Sequence, residues 1–257
     1  LLPSDLTGIN FYDQKQGEFR FRPGPLFSNI ILADEINRAT PRTQSSLLEC
    51  MGEHQITVDG ETMSLEAPFF VIATQNPIEQ EGTYLLAEAQ LDRFLLKEKL
   101  SYPNPEQEFE ILNRIEREIF TTHQAVAELE EISYLQGLVK RVYMDDSIKK
   151  YIIAIINATR YPRNFIAPEL AQYVTMGAST RGAIALMEVS KARAIMCGRN
   201  YVTPDDVKAL IYSVLRHRIA EIARSGFCLR RLRSFEPDTP FSSRAVIYDR
   251  GVERRVA

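Results

Sequence analysis

The spacing of hydrophobic positions changes part-way along the chain. Up to about residue 102 they come in short runs. Ile30-Ile31-Leu32-Ala33 and Phe69-Phe70-Val71-Ile72-Ala73-Thr74 are near-continuous apolar stretches, the pattern of strands buried on both faces of a parallel sheet. Ile9 to Tyr12 and Glu18 to Arg22 read as a hairpin around Asp13-Gln14-Lys15-Gln16-Gly17, closed by Pro23-Gly24-Pro25. A second hairpin is predicted over residues 55–65. Its turn is Asp59-Gly60, a pair suited to the positive φ angles of a two-residue turn. Thr40-Pro41 opens a helix, with Thr as N-cap and Pro at the first helical position, and Leu47, Leu48 and Met51 lie at helical spacing within it.

Tyr102-Pro103-Asn104-Pro105 breaks the chain, and beyond it the period becomes helical. Helices are predicted from Glu106 to Ile119, from Ser147 to Thr159, from Thr180 to Cys197 and from Thr203-Pro204 onward. The division is therefore an α/β domain over residues 1–103, an all-helical domain over 104–225, and a tail over 226–257. The tail is rich in Arg, lacks Lys and shows no sustained period. It reads as a disordered end or the product of a reading-frame change near Gly226, in preference to an arm for an acidic partner. No internal repeat is present.

The two core strands deliver polar residues at their C-terminal ends: Asp34-Glu35 after the first, Gln75-Asn76-Pro77 after the second. In an open parallel sheet that edge is where ligands bind. Adjacent carboxylates suit Mg²⁺ and an activated water, the Asp holding the metal directly or through its waters and the Glu polarising the attacking water. This is the chemistry of nucleoside triphosphate hydrolysis. Yet Gly-x-x-x-x-Gly-Lys-Ser/Thr, whose backbone N–H groups cradle phosphates, occurs nowhere in the 257 residues.

Composition narrows the picture further. With 45% hydrophobic and 25% charged residues, the chain has the make-up of a globular protein. A net charge of -3 supplies no basic field for nucleic acid. No apolar run is long enough to span a bilayer, and no signal peptide is seen. Cys50, Cys197 and Cys228 are odd in number and far apart, which argues against a disulfide framework or zinc site and fits the cytoplasm. Cys50 and His54 share a helical spacing, but two ligands alone are usually packing. The chain starts at Leu1 and reads like the middle of a protein. The expectation is that about 70–80 further residues precede it, with a strand, a Gly-rich loop ending Gly-Lys-Ser/Thr, and a helix.

Read together, the segments resemble the MoxR family of AAA+ ATPases over about residues 1–223. The resemblance is carried by Gly24-Pro25-Leu26-Phe27, Asp34-Glu35-Ile36-Asn37-Arg38-Ala39, Ala73 to Pro77, Glu81-Gly82-Thr83-Tyr84 and Glu88-Ala89-Gln90-Leu91-Asp92-Arg93-Phe94. It implies an αβα core with a parallel sheet, incomplete in this chain, followed by a helical lid. It implies roles as well. Asp34 and Glu35 would be the Walker B pair for Mg²⁺ and water. Asn76 would be sensor 1, Arg93 the arginine finger reaching the ATP of a neighbouring subunit, and Arg181 sensor 2 on the lid. An arginine supplied in trans can be worth about 10³–10⁵ in rate. The two hairpins resemble the helix-2 insert and the pre-sensor-1 hairpin, which project toward the pore in related rings. Three departures stand out besides the missing phosphate loop. Tyr84-Leu85-Leu86-Ala87-Glu88 replaces the family's Tyr-Pro-Leu-Pro-Glu, Thr180 replaces a usual Pro, and the tail replaces the usual helical end.

Each residue alone has an ordinary reading. Asn76 before Pro77 can start a turn, and Arg93 and Arg181 can be surface ion-pair partners. Their order, embedded in these words, favours the functional one. The resemblance implies an ATP- and Mg²⁺-dependent ring, a hexamer, that remodels or matures other proteins in the manner of a chaperone. Its client would be a protein with a von Willebrand factor A domain. The chain by itself is expected to be inactive for want of its phosphate loop. Two alternatives remain at this point: a nucleic-acid motor or clamp loader on the same fold, disfavoured by the acidic balance, and a non-catalytic interaction module.

Overall fold

A computed structural model describes residues 3–76, 82–119, 124–221 and 245–248. A short helix α1 (Pro3–Thr7) leads into the hairpin β1 (Gly8–Asp13) and β2 (Glu18–Pro23), paired antiparallel from Gly8↔Pro23 to Asp13↔Glu18. Gly8 is required there. It sits at φ 97, and a Cβ would lie 2.4 Å from the Arg22 carbonyl oxygen. Next come β3 (Ile30–Ala33), α2 (Pro41–Glu53), the hairpin β4 (Gln55–Val58) and β5 (Glu61–Ser64), and β6 (Phe70–Gln75). The turn joining β4 to β5 is Asp59-Gly60 with both φ angles positive, as its sequence predicts. As predicted, α2 starts at Thr40, whose Oγ1 accepts from the Thr43 N–H, with Pro41 at its first position.

The sheet runs β3-β6-β10-β7, where β7 is Leu96–Lys99 and β10 is Ala245–Tyr248. β3 and β6 are parallel, Ile30↔Phe70 to Ala33↔Ala73. β10 is antiparallel to both β6 and β7, so β6 and β7 run the same way. β10 falls within the tail. Ala245-Val246-Ile247-Tyr248 is too short to show a period, but its β-branched and aromatic residues fit a strand between two others. Residues 226–244 and 249–257 of the tail, and 222–225 before it, lie outside the described residues.

One sheet face presents Val71 and Ala73, both fully buried, to α2 through Leu47, Leu48 and Met51. The other carries Ile30 and Leu32, 55% and 67% exposed. Between β6 and β7 lies the one-turn helix α3 (Glu88–Leu91). The helical part follows: α4 (Pro105–Glu116), α5 (Leu129–Arg141), α6 (Asp146–Arg160), α7 (Pro168–Ala171), strand β8 (Val174–Met176), α8 (Thr180–Met196), α9 (Pro204–Leu215) and strand β9 (Ala220–Glu221), which pairs with β8. A second apolar core joins Ile148, Ile152 and Ile156 of α6 to Leu186 and Val189 of α8 and Val207 and Val214 of α9. Leu95 and Leu96 pack against it, so the segment around β7 is where sheet and lid meet.

Candidate nucleotide site

Asp34 and Thr74 follow the last in-register pair of β3 and β6, Ala33↔Ala73, so the parallel ladder itself sets them side by side. The Thr74 hydroxyl donates to Asp34 Oδ1 and accepts from the Glu35 backbone N–H at 2.8 Å. Glu35 lies at φ 50, in the left-handed region, which is costly for a residue with a Cβ. That turn sends its side chain away from the direction a continuing strand would give. Its Oε2 meets Arg38 Nε at 3.0 Å across the 3-10 turn Ile36–Arg38.

Asn76 is held by its backbone. Asn37 Nδ2 donates to the Asn76 carbonyl at 3.0 Å, and the Asn76 N–H faces Asn37 Oδ1 at 3.4 Å. Asn37 is buried. Gln44, also buried, donates to the carbonyls of Ile36 and Tyr84 at 3.1 and 2.9 Å, and the Tyr84 N–H donates to the Asn37 carbonyl. Buried, hydrogen-bonded amides, Gln44 with both of its N–H groups used, give this edge a fixed shape. Asn37, Gln44 and Thr74 were not singled out from sequence. The signal available was a polar residue inside an apolar strand (Thr74) and on the inner face of α2 (Gln44).

Asp34, Glu35 and Asn76 thus come together at one sheet edge. The two candidate arginines are placed by other contacts. Arg93 is half-buried and donates from Nη1 to the Leu48 carbonyl of α2 at 2.9 Å. Phe94, beside it, is fully buried. Arg181, in the first turn of α8, is half-exposed and meets Asp92 Oδ2 at 3.5 Å.

Where lid meets core, His217 is buried and Nε2 lies 3.1 Å from the Phe94 carbonyl, while its buried Nδ1 has no hydrogen-bond partner among the described residues. That pattern is the neutral imidazole protonated on Nε2. Burial, and then the neighbouring Arg218 charge, push its pKa down to about 3.

The residues at the sheet edge fit a Mg²⁺-nucleotide. Among the described residues no three His, Cys, Asp or Glu side chains converge, and Mg²⁺ in such sites uses one or two carboxylates, waters and the phosphates themselves. The exposed Asp34 carboxylate, with one oxygen oriented by Thr74, is suited to that.

Comparison with known proteins agrees. The model of the ATPase family associated with various cellular activities (AAA) matches residues 1–96, and that of the AAA lid domain matches residues 167–227. The crystal structure of a proposed ATPase from Cytophaga hutchinsonii ATCC 33406 superposes with a TM-score of 0.82 at 41% identity, covering 94% of this chain and 75% of that one. The chaperone MoxR1 of Mycobacterium tuberculosis (strain ATCC 25618 / H37Rv) is 39% identical over 85% of this chain and 58% of its own length. The chain belongs to the MoxR family of AAA+ ATPases. The uncharacterized protein YeaC of Bacillus subtilis (strain 168) is 49% identical over 85% of this chain and 66% of its own length. The chain thus spans about two thirds or less of these curated relatives. The MoxR assignment makes the α/β part an AAA+ core and the helical part its lid. No helix among the described residues is long and apolar enough to cross a membrane.

Proposed function

We propose that this protein hydrolyses ATP as a subunit of a ring, a hexamer, and uses the energy to remodel other proteins in the manner of a chaperone. The observation that carries the reading is the joined pair at the sheet edge, Asp34 and Glu35 fixed to each other through the Thr74 hydroxyl. Asp34 would hold Mg²⁺, which when bound neutralises phosphate charge. Glu35 would take the proton of the attacking water, Asn76 would align that water, and Arg181 would meet the γ-phosphate from the lid. Arg93 would serve the neighbouring subunit's ATP, once it leaves its contact with Leu48. The boundary between core and lid would fall near Pro103. The client would be a protein with a von Willebrand factor A domain, and the compartment a reducing cytoplasm.

The 257 residues contain no Gly-Lys pair anywhere, so by themselves they are expected to bind ATP weakly and show no Mg²⁺-dependent turnover. In a form that carries a Gly-Lys-Ser/Thr phosphate loop, Glu35→Gln is expected to keep ATP binding and lower turnover by about 10²-fold or more, since the amide fills the space but cannot accept the proton. Near-normal hydrolysis by Glu35→Gln would show that Glu35 is not the base.

A further inference from the structure

Asp92, Arg93 and Phe94 follow one another, yet each answers to a different part of the molecule. Arg93 donates to α2 and the Phe94 ring is buried in the core beneath the sheet. Asp92 faces the lid. Its Oδ2 accepts from the Ser179 hydroxyl at 2.8 Å and meets Arg181 Nη1 at 3.5 Å. Its Oδ1 accepts from Arg218 Nε at 3.0 Å.

Arg218 is almost wholly buried, with a side-chain exposure of 1%. Besides Asp92 Oδ1 it donates to the carbonyls of Asp92, Phe94, Leu95 and Val214. A guanidinium has five N–H donors, and a buried one is tolerated when they are met and its charge is balanced. Both conditions hold here, and both depend on the 92–95 segment. Arg218 is therefore a fixed post, set in the lid beyond α9 and clamped on the core. One oxygen of Asp92 is committed to that post, which fixes the orientation of the other.

The second oxygen stands at the N-terminus of α8. The Ser179 hydroxyl caps that helix, accepting from the Arg181 N–H at 3.0 Å while donating to Asp92. A carboxylate at a helix N-terminus is favoured by the helix dipole as well. A half-exposed arginine head has many rotamers of similar energy, and a fixed anion beside it selects among them.

We propose that Asp92 is a positioning residue: held by Arg218, it sets where the Arg181 guanidinium stands and links lid placement to the segment bearing Arg93. The significance for ATP rests on the reading of Arg181 and Arg93 given above, whereas the positioning does not.

The test uses the chain as it is, without nucleotide. Arginine side chains are labelled with phenylglyoxal and each site is followed by mass spectrometry. Asp92→Asn keeps an acceptor for Ser179 but removes the charge, and Arg181 is expected to label several-fold faster, with Arg199, held by Asp206, as the unchanged reference. Asp92→Asn also strands the Arg218 charge. The companion variant Asp92→Leu/Arg218→Met therefore replaces the buried pair together, which spares the fold. It should unfold near the wild-type temperature and still label Arg181 fast. Wild-type labelling of Arg181 in that folded double variant overturns the proposal, because Asp92 would then be support for the fold alone. If Arg181 has no part in nucleotide binding, ATP will leave its labelling unchanged in a form carrying the phosphate loop, while the effect of Asp92 persists.

Discussion

Glu35 occupies a left-handed backbone position that most residue types avoid, at φ 50. Its amide is held there by Thr74, whose hydroxyl also serves Asp34. Thr74→Val keeps the shape of the side chain and removes both bonds. The expected loss of stability is about 1–3 kcal/mol, visible as a lower denaturation midpoint at unchanged slope. In a form with the phosphate loop the same variant should also weaken Mg²⁺-dependent turnover. A second residue controls the response to acid. His217 has its pKa lowered from 6.5 to about 3, first by burial and then by Arg218. Below pH 6.5 the unfolded chain takes up a proton at this position that the folded chain refuses. The stabilisation is therefore complete above pH 6.5 and declines as pH falls toward 3, by about 1.4 kcal/mol per pH unit, or about 2 kcal/mol by pH 5. His217→Gln can keep the bond to the Phe94 carbonyl without titrating. Its stability should fall less between pH 7 and pH 5 than that of the wild type, measured by denaturant unfolding at each pH.

Among elements, the helices begin where side chains can satisfy their first N–H groups. Thr40, Asn104, Asp145 and Ser179 all accept from N–H groups in the first turn of the helix they precede. At α9, Asp206 accepts from Thr203 and forms a paired contact with Arg199. Those bonds, Arg199 first, hold its pKa down at about 2, so their stabilisation is present above pH 3.8 and is lost only as pH falls toward 2. The element with the largest reach is β10. It joins β6 to β7 by hydrogen bonds on both its edges, Ala245 standing opposite both Gln75 and Lys99. Ending the chain after residue 244 should speed amide exchange at residues 72–75 and 96–99, while exchange in α6 and α8 stays as it was. Unchanged exchange in both strands would mean that β10 contributes nothing to the sheet.

At the scale of the whole molecule, the core and the lid are joined through Asp92, Phe94, Leu95, His217 and Arg218. Arg93 leaves that junction toward α2, so its route to a phosphate is through a neighbouring subunit only if the contact with Leu48 is exchanged for one across the ring. In a form with the phosphate loop, Arg93→Ala should spare ATP binding and lower turnover sharply. Mixing Arg93→Ala with Glu35→Gln, each inactive alone, should restore part of the activity, because some interfaces then pair an intact Glu35 with an intact Arg93. Absence of recovery in rings shown to exchange subunits would place Arg93 in cis or in a structural role.

The sequence by itself determined the local elements and their chemistry. A turn written Asp59-Gly60, caps written Thr40-Pro41 and Thr203-Pro204, and apolar runs ending in Asp34-Glu35 and Asn76 depend on neighbours within a few residues, so they are legible in one dimension. It also determined the family, because five short words are enough for that. What only the tertiary structure decided depends on residues far apart in the chain. The register of β3 on β6 brings Thr74 to Asp34 across 40 positions. Burial, which no single position announces, turns Asn37, Gln44 and Arg218 from ordinary polar residues into fixed posts. The Ala245–Tyr248 run became a strand only because β6 and β7 both offer unpaired backbone groups for it to meet. Arg93 meets the Leu48 carbonyl of α2 through packing between segments 45 residues apart.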